Sequence, residues 1–313
     1  MTVNGPVSSA HMGVSLIHEH VMVDFIGADS TGEHRWDRAE VIRVVRPYLE
    51  QAVKKGVKTM VECTPAYIGR DPMLLRELSA LTKVQLITNT GYYGAADNKF
   101  LPPHAFYETA RQLSERWIAE WKNGIGETGI RPGFIKIGVV DEPLSPLHVK
   151  LVQAAAYTHL QTGLSIASHT GKAVPALEQI RILEREGVHP EAFIWVHAQA
   201  EDHLGHHIEA VQKGAWISLD GLNEANVEAY FKMVKNLKDH GYLHKILLSH
   251  DAGWYSPGEK NGGNFRPYTT LFEKFIPLLK LEKFSEAEID QLLVHNPKKA
   301  FEIKVRKSTA DGL

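Results

Sequence analysis

Eight short apolar runs recur along the chain, and each gives way to a longer segment with helical spacing. The runs read GVSLIHEH, VKTMVECT, VQLITNTG, GFIKIGVV, LSIASHTG, AFIWVHAQ, GAWISLDG and KILLSHDA. They are strand-length and rich in β-branched residues. Between Asp37 and Val53, the residues Val41, Val45, Tyr48, Leu49 and Ala52 share one helical face. Asp37 and Glu40 are spaced as a capping box there, and Pro47 predicts a kink. Ser145-Pro146 opens a second helix over Leu147 to Leu160, and Leu204, Ile208 and Val211 form a further stripe. Ser285 and Glu288 cap a last helix that runs through Val294 and is followed by Asn296-Pro297. Eight strands, each followed by a helix, predict an α/β fold: a parallel (β/α)8 TIM barrel, one domain over residues 1–313. The rival is an open, doubly wound sheet. It usually has fewer strands and often a glycine-rich phosphate loop after the first, where this chain has His18-Glu19-His20.

Composition narrows the partners. The chain is 43% hydrophobic and 23% charged with a formal charge of −2, so no basic excess exists to hold a phosphate backbone, and nucleic acid is excluded as a partner. Cys63 is the sole cysteine, which rules out an intrachain disulfide. The opening residues MTVNGPVSSAHMG lack the pattern of a signal peptide, and no apolar run reaches the length of a membrane span. The expectation is a cytoplasmic protein without a membrane partner.

The chemistry gathers at the strand ends. Residues two apart in a strand face the same side, so His18 and His20 point together and Glu19 points away. Two imidazoles aimed into one space form half of a metal site or a hydrogen-bonded structural pair. His169, His197 and Asp251 also stand at carboxyl ends of predicted strands, the face where barrels carry their active sites. Five potential ligands from four strands favour the metal. Lys136, inside the apolar run GFIKIGVV, is the remaining oddity: a buried ammonium is costly unless it is paired, snorkels to the rim or changes its chemistry. Addition of CO2 to its neutral amine would give a carbamate, an anion with two oxygens able to bridge two cations. Cys63 reads as a packing residue.

The order His-x-His, Lys, His, His, Asp resembles the phosphotriesterase family of the amidohydrolase superfamily. The likeness extends from VNGPV through HEH, TGYY, FIKIG, SHTG and SHD to NPKKAF. It implies two divalent transition-metal ions, zinc first, with cobalt, manganese or iron also suited, bridged by carboxylated Lys136 and a hydroxide. His18, His20 and Asp251 would hold one ion, and His169 and His197 the other. The implied reaction is attack of the hydroxide on a carboxyl ester or lactone, with promiscuous phosphotriesterase activity and Asp251 accepting a proton. Tyr93, in NTGYYG, matches a rim position that is tyrosine in the family's lactonases and tryptophan in its dedicated organophosphate hydrolases. The loop AGWYSPGEKNGGNFRPY offers Trp254, Tyr255, Phe265 and Tyr268 as an apolar lid and Arg266 as an anion contact. Its NGG resembles the phosphotriesterase homology proteins, and its length argues against a long acyl chain. After His197 the family's phosphotriesterases carry HSDD, whereas this chain has HAQAED; Gln199 and Ala200 replace the proton-relaying aspartate, and Glu201 and Asp202 are expected to begin the next helix. The partner is therefore a small-molecule ester, lactone or phosphotriester, and a homodimer is implied because family members are often dimers. Alternatives on the same barrel are a dedicated organophosphate triesterase or a cyclic amidohydrolase. Base deamination, trimming of DNA ends and a binding or scaffold role without catalysis fit less well.

Overall fold

The computed structural model describes residues 1–140 and 142–308. Its strands are β1 (Ser15–Met22), β2 (Thr59–Glu62), β3 (Gln85–Ile87), β4 (Asn89–Thr90), β5 (Phe134–Gly138), β6 (Ile166–His169), β7 (Phe193–Val196), β8 (Trp216–Leu219), β9 (Ile246–Leu248) and β10 (Gly253–Tyr255). All ladders between neighbouring strands are parallel, with helices between them, and the architecture is the (β/α)8 barrel. The barrel interior is filled by Ile17, Val61, Ile87, Phe134, Ala167, Ile194, Trp216 and Leu247, one residue from each staves' run, with Met12, Ala300 and Phe301 in the same cluster. A larger apolar cluster packs the helices onto the outside.

Two seams interrupt the hydrogen-bonded sheet. The third predicted strand is broken at Thr88, so β3 pairs with β2 and β4 pairs with β5. The Asn89 carboxamide spans the gap, its Nδ2 donating to the carbonyls of Glu62 (3.1 Å) and Thr64 (3.0 Å). At the second seam, Asp251 N donates to His18 O at 3.0 Å and His20 N to Ala252 O at 2.9 Å. Buried Glu19 completes this join, accepting from Ser249 Oγ (2.7 Å), His250 N (3.0 Å), His250 Nδ1 (2.7 Å) and Ala252 N (2.9 Å).

Several local expectations change. The segment after Asp251 is not loop throughout: β10 pairs with β1, His20 opposite Gly253 and Met22 opposite Tyr255. The helix Arg38–Lys54 runs through Pro47 without a break, and Asp37 caps it through the N–H groups of Ala39 and Glu40, while Glu40 lies 3.9 Å from Arg43 rather than closing a box. The Ser285–Glu288 capping box is formed. The helix it starts does not stop at Val294; a π-helical turn over Gln291–His295 feeds directly into Asn296–Phe301. The wider turn accommodates Pro297, which has no N–H to give to the turn before it. Among the described residues no helix is long and apolar enough to cross a membrane.

Candidate metal centre

Barrel geometry brings His18 and His20 from β1, Lys136 from β5, His169 from β6, and His197 and Asp251 just beyond β7 and β9 into one pocket. The pocket encloses about 390 Å³, counting its open mouth. His18, His197 and Asp251 each offer a ligand atom within 4.8 Å of the others. Asp251 Oδ1 lies 3.0 Å from His20 Nε2 and 3.7 Å from His18 Nε2. The rings of His169 and His197 stand 4.4 Å apart and those of His18 and His197 5.0 Å apart. His197 and Asp251 both adopt left-handed backbone conformations, φ 63° and 51°, a region that histidine and aspartate enter more readily than most residues.

The imidazoles are oriented from behind. His20 Nδ1 faces Thr64 Oγ1 at 2.8 Å. His18 Nδ1 is 3.0 Å from Asp220 Oδ2, and His197 Nδ1 is 2.7 Å from Asp220 Oδ1. An Nδ1–H held this way leaves Nε2 as the lone-pair nitrogen, the arrangement by which proteins present histidine to a metal. Asp220 thus ties two histidines to one carboxylate. Sequence reading passed over it, although the run GAWISLDG ends in an acid at the same rim as the run ending in Asp251.

Electrostatics agree. Burial, reinforced by the nearby Lys136 cation, lowers His18 to a pKa of about 4. Burial and the neighbouring His197 hold His169 well below its usual value. Burial acts the same way on His197, but the Asp220 carboxylate outweighs it and raises that ring. Burial opposes ionisation of Asp251, yet His20, His18 and His197 keep it well under the carboxylate range. Asp220 is held low by His197 and His18 against the same burial. Lys136 is 2% exposed, and its Nζ has no hydrogen-bond partner among the described residues. Gly91 makes room at this strand: a Cβ there would lie 2.2 Å from Lys136 O, and its φ is +110°. An orphaned amine facing four imidazoles and a carboxylate is the donor set that a divalent-cation pair bridged through that amine's carbamate requires.

The expected substrate residues divide. Tyr93 lines the pocket with its Oη 3.2 Å from His169 Nε2, and Trp254 lines it too, its ring 5.4 Å from His20 and 5.3 Å from Phe25. Val23, Phe25, Pro65 and Ile68 complete the apolar lining, with Cys63, also part of the barrel-interior cluster. Tyr255 and Phe265 do not reach the pocket. Tyr255 follows Trp254 in β10 and so points to the other face, and Phe265 packs on Tyr48 and Tyr268 with ring centroids 4.5 and 5.7 Å away. Tyr268 is buried and donates to His20 O at 2.7 Å, so it holds the β1 backbone rather than forming a lid. Arg266 is outside the lining too; its guanidinium stacks 4.8 Å from the Trp254 ring and donates to Asp251 O. Glu201 and Asp202 precede the helix Leu204–Lys213, and Glu201 accepts from the N–H groups of His203 and Ala173.

The sequence pattern that defines the phosphotriesterase family matches residues 1–301. This chain belongs to the phosphotriesterase family. It is 30% identical over 294 residues to the phosphotriesterase homology protein of Escherichia coli (strain K12), spanning 93% of this chain and 98% of that one. It is 29% identical over 310 residues to the aryldialkylphosphatase of Saccharolobus solfataricus, spanning 94% and 96%. An organophosphorus hydrolase variant from Deinococcus radiodurans superposes with a TM-score of 0.86 at 25% identity, covering 96% of both chains. Other phosphotriesterase-family relatives, at 26% and 27% identity, are a phospho-furanose lactonase from Mycoplasmopsis agalactiae (95% of this chain, 89% of that one) and an N-acetyltaurine hydrolase from Dictyostelium discoideum (82% and 72%).

Proposed function

We propose that this chain is a binuclear metal-dependent hydrolase of small, uncharged carboxyl esters or lactones, with weaker activity on phosphotriesters. One observation carries the reading: four imidazoles from three strand ends, Asp251 and the Lys136 amine, which has no partner among the described residues, converge on one pocket. His18, His20 and Asp251 would hold one cation, His169 and His197 the second, and Lys136 as its carbamate would bridge them. Two cations so held lower the pKa of water and polarise the oxygen of an ester or phosphoryl group.

The chain's own groups do the rest. Asp251, held ionised among the imidazoles, accepts a proton from the attacking water. Tyr93 Oη, beside His169, is placed to donate to the leaving alcohol. Val23, Phe25, Ile68 and Trp254 exclude water and take the apolar part of the substrate. Among the described residues Lys136 is the sole Lys or Arg lining the pocket, and its amine is committed to the centre, which favours a neutral substrate. Gln199, where the resemblance places a relaying aspartate, carries no titratable proton, which favours esters and lactones over poor phosphotriester substrates.

The test combines metal analysis with a substrate panel. Purified protein is expected to contain about two transition-metal ions per chain and to lose activity on chelation. Neutral short-chain lactones and aryl esters should be hydrolysed faster than phosphotriesters, phosphorylated lactones, hydantoins or N-acyl taurines. Unchanged ester hydrolysis by fully metal-free protein would overturn the proposal.

A further inference from the structure

Gln199 enters the sequence argument only as something missing, a relay that is not an acid. Its place in the structure is specific. It lies in the short turn Ala198–Ala200 after β7 and makes two bonds with one residue. Gln199 Nε2 donates to Asp220 Oδ1 at 3.2 Å, and Asp220 N donates to Gln199 Oε1 at 3.2 Å. A carboxamide has a donor and an acceptor side by side and can close this ring; a carboxylate has no donor, and an aliphatic side chain has neither.

The ring matters because of what Asp220 already holds. Besides Gln199, its two oxygens accept from His18 Nδ1 (3.0 Å), His197 Nδ1 (2.7 Å), His197 N (3.3 Å) and Ser218 Oγ (2.6 Å). Five donors saturate the roughly four lone-pair sites of one carboxylate. Asp220 is fully buried and has no remaining face for a proton or a water. It also hydrogen-bonds a proposed ligand of each cation, His18 for the first and His197 for the second. Whatever fixes Asp220 therefore fixes the spacing between the two halves of the centre. Gly221 supplies a second, independent sign that the clamp is built in: a Cβ there would lie 2.9 Å from Gln199 Nε2 and 2.9 Å from Tyr230 Oη. Glycine's φ is not in the left-handed region at this position, so the space, not the backbone conformation, calls for it.

We infer that Gln199 is a positioning residue that locks Asp220 and through it sets the separation of the His18 and His197 ligand groups, closing Asp220 to proton traffic. This rests on the proposed metal centre. It reassigns the residue from an absent relay to a present strut, and it makes the exchange of aspartate for glutamine at this position a gain of rigidity in place of a proton path.

The test uses full-length protein loaded with cobalt(II) as the probe. Gln199→Ala and Gln199→Glu are made, with Gly221→Ala as a variant that displaces the carboxamide without removing it. All three are expected to fold, with a lowered melting temperature for Gly221→Ala, whose Cβ also meets Tyr230, and to lose cobalt to a chelator about tenfold faster or more, the scale of effect seen when a group supporting a metal ligand is removed. The spin coupling between the two cobalt ions, read by electron paramagnetic resonance, should weaken, which a generally loosened fold with intact sites would not produce. Gln199→Ala added to Asp220→Ala should change the stripping rate no further, because the strut acts only through Asp220. Wild-type stripping rates and coupling in Gln199→Ala and Gln199→Glu would overturn this inference alone. Wild-type protein that takes up no cobalt would overturn the proposed function together with it.

Discussion

Lys136 concentrates the argument at the residue scale. A primary amine 2% exposed, with no partner for Nζ, is among the least favourable groups a barrel interior can carry. In the proposed centre this amine is the group that takes up CO2. Lys136→Ala is therefore expected to remove metal and activity together, and a short carboxylic acid such as formate or propionate should restore part of both by supplying the missing oxygens. Wild-type metal content in the alanine variant, measured by elemental analysis, would end the carbamate proposal. Trp254 makes a different prediction. It has φ 75°, its Nε1 has no partner among the described residues, and Arg266 covers its outer face. It forms pocket wall and meets His20 ring to ring. Trp254→Ala should raise KM for apolar esters about tenfold or more and leave metal content unchanged, the signature of lost binding surface. A fall in kcat with KM unmoved would place Trp254 in the chemistry instead.

At the scale of elements, β1 and the segment after β9 are held together by the Glu19 carboxylate, which accepts four hydrogen bonds in a fully buried seam. Removing one partner of such a cluster leaves the other groups buried and unpaired, at a cost of about 3–5 kcal/mol. Glu19→Ala should lower the unfolding free energy, read from a denaturant titration, by that amount and reduce metal retention, because Asp251 N bonds to His18 O across this seam. The sequence announced Glu19 only as the residue facing away from the histidines. Period-two alternation was enough to place His18 and His20 together, but it would also have put Ile17 outside. Ile17 is in the barrel interior, and the register of β1 against β2 shifts between Leu16 and Glu19, so His18 turns inward one residue early. A bulge of this kind depends on the neighbouring strand and leaves no local mark. The same limit hid the break at Thr88, where a side chain of Asn89 replaces backbone pairing. It also explains why Tyr255 and Phe265 were drawn to the pocket: aromatic content marks a loop near the mouth, but only the pairing of β10 with β1 decides which of Trp254 and Tyr255 faces in. The five ligand candidates were legible because they stand where apolar runs end, and Lys136 because it interrupts one, patterns carried by single strands. Asp220 had that mark as well, and lacked only a histidine beside it to draw notice.

For the molecule as a whole, binding and folding are coupled, because the proposed ligands come from β1, β5, β6, β7 and the end of β9 and exist as a set only in the closed barrel. A cation that binds the folded chain alone stabilises it by about 2.7 kcal/mol at a hundredfold excess over Kd, so chelation should lower the melting temperature by several degrees. Protons compete for the same nitrogens, and the sign follows from burial. In the metal-free barrel His18 has a pKa of about 4, below the ordinary 6.5 of an unfolded chain, and His169 is displaced in the same direction. Above pH 6.5 both states carry His18 neutral and its contribution to stability is complete. Between pH 6.5 and about 4 the unfolded chain binds a proton that the barrel refuses, so stability falls as the solution is acidified. The loss from His18 alone amounts to about 3 kcal/mol by pH 4, where its contribution is exhausted. Metal-stripped protein should accordingly show a melting temperature that declines through this window. Adding zinc should raise it strongly near neutrality and weakly near pH 4, since in the barrel the ion must displace the proton that the Asp220 carboxylate favours on His197. Calorimetry of the stripped and reloaded protein from pH 7 to pH 4 decides it: a stabilisation by zinc that stays flat between pH 7 and about pH 5 would mean that the ion binds groups that do not titrate there, such as surface carboxylates, and not the imidazoles at the mouth of the barrel.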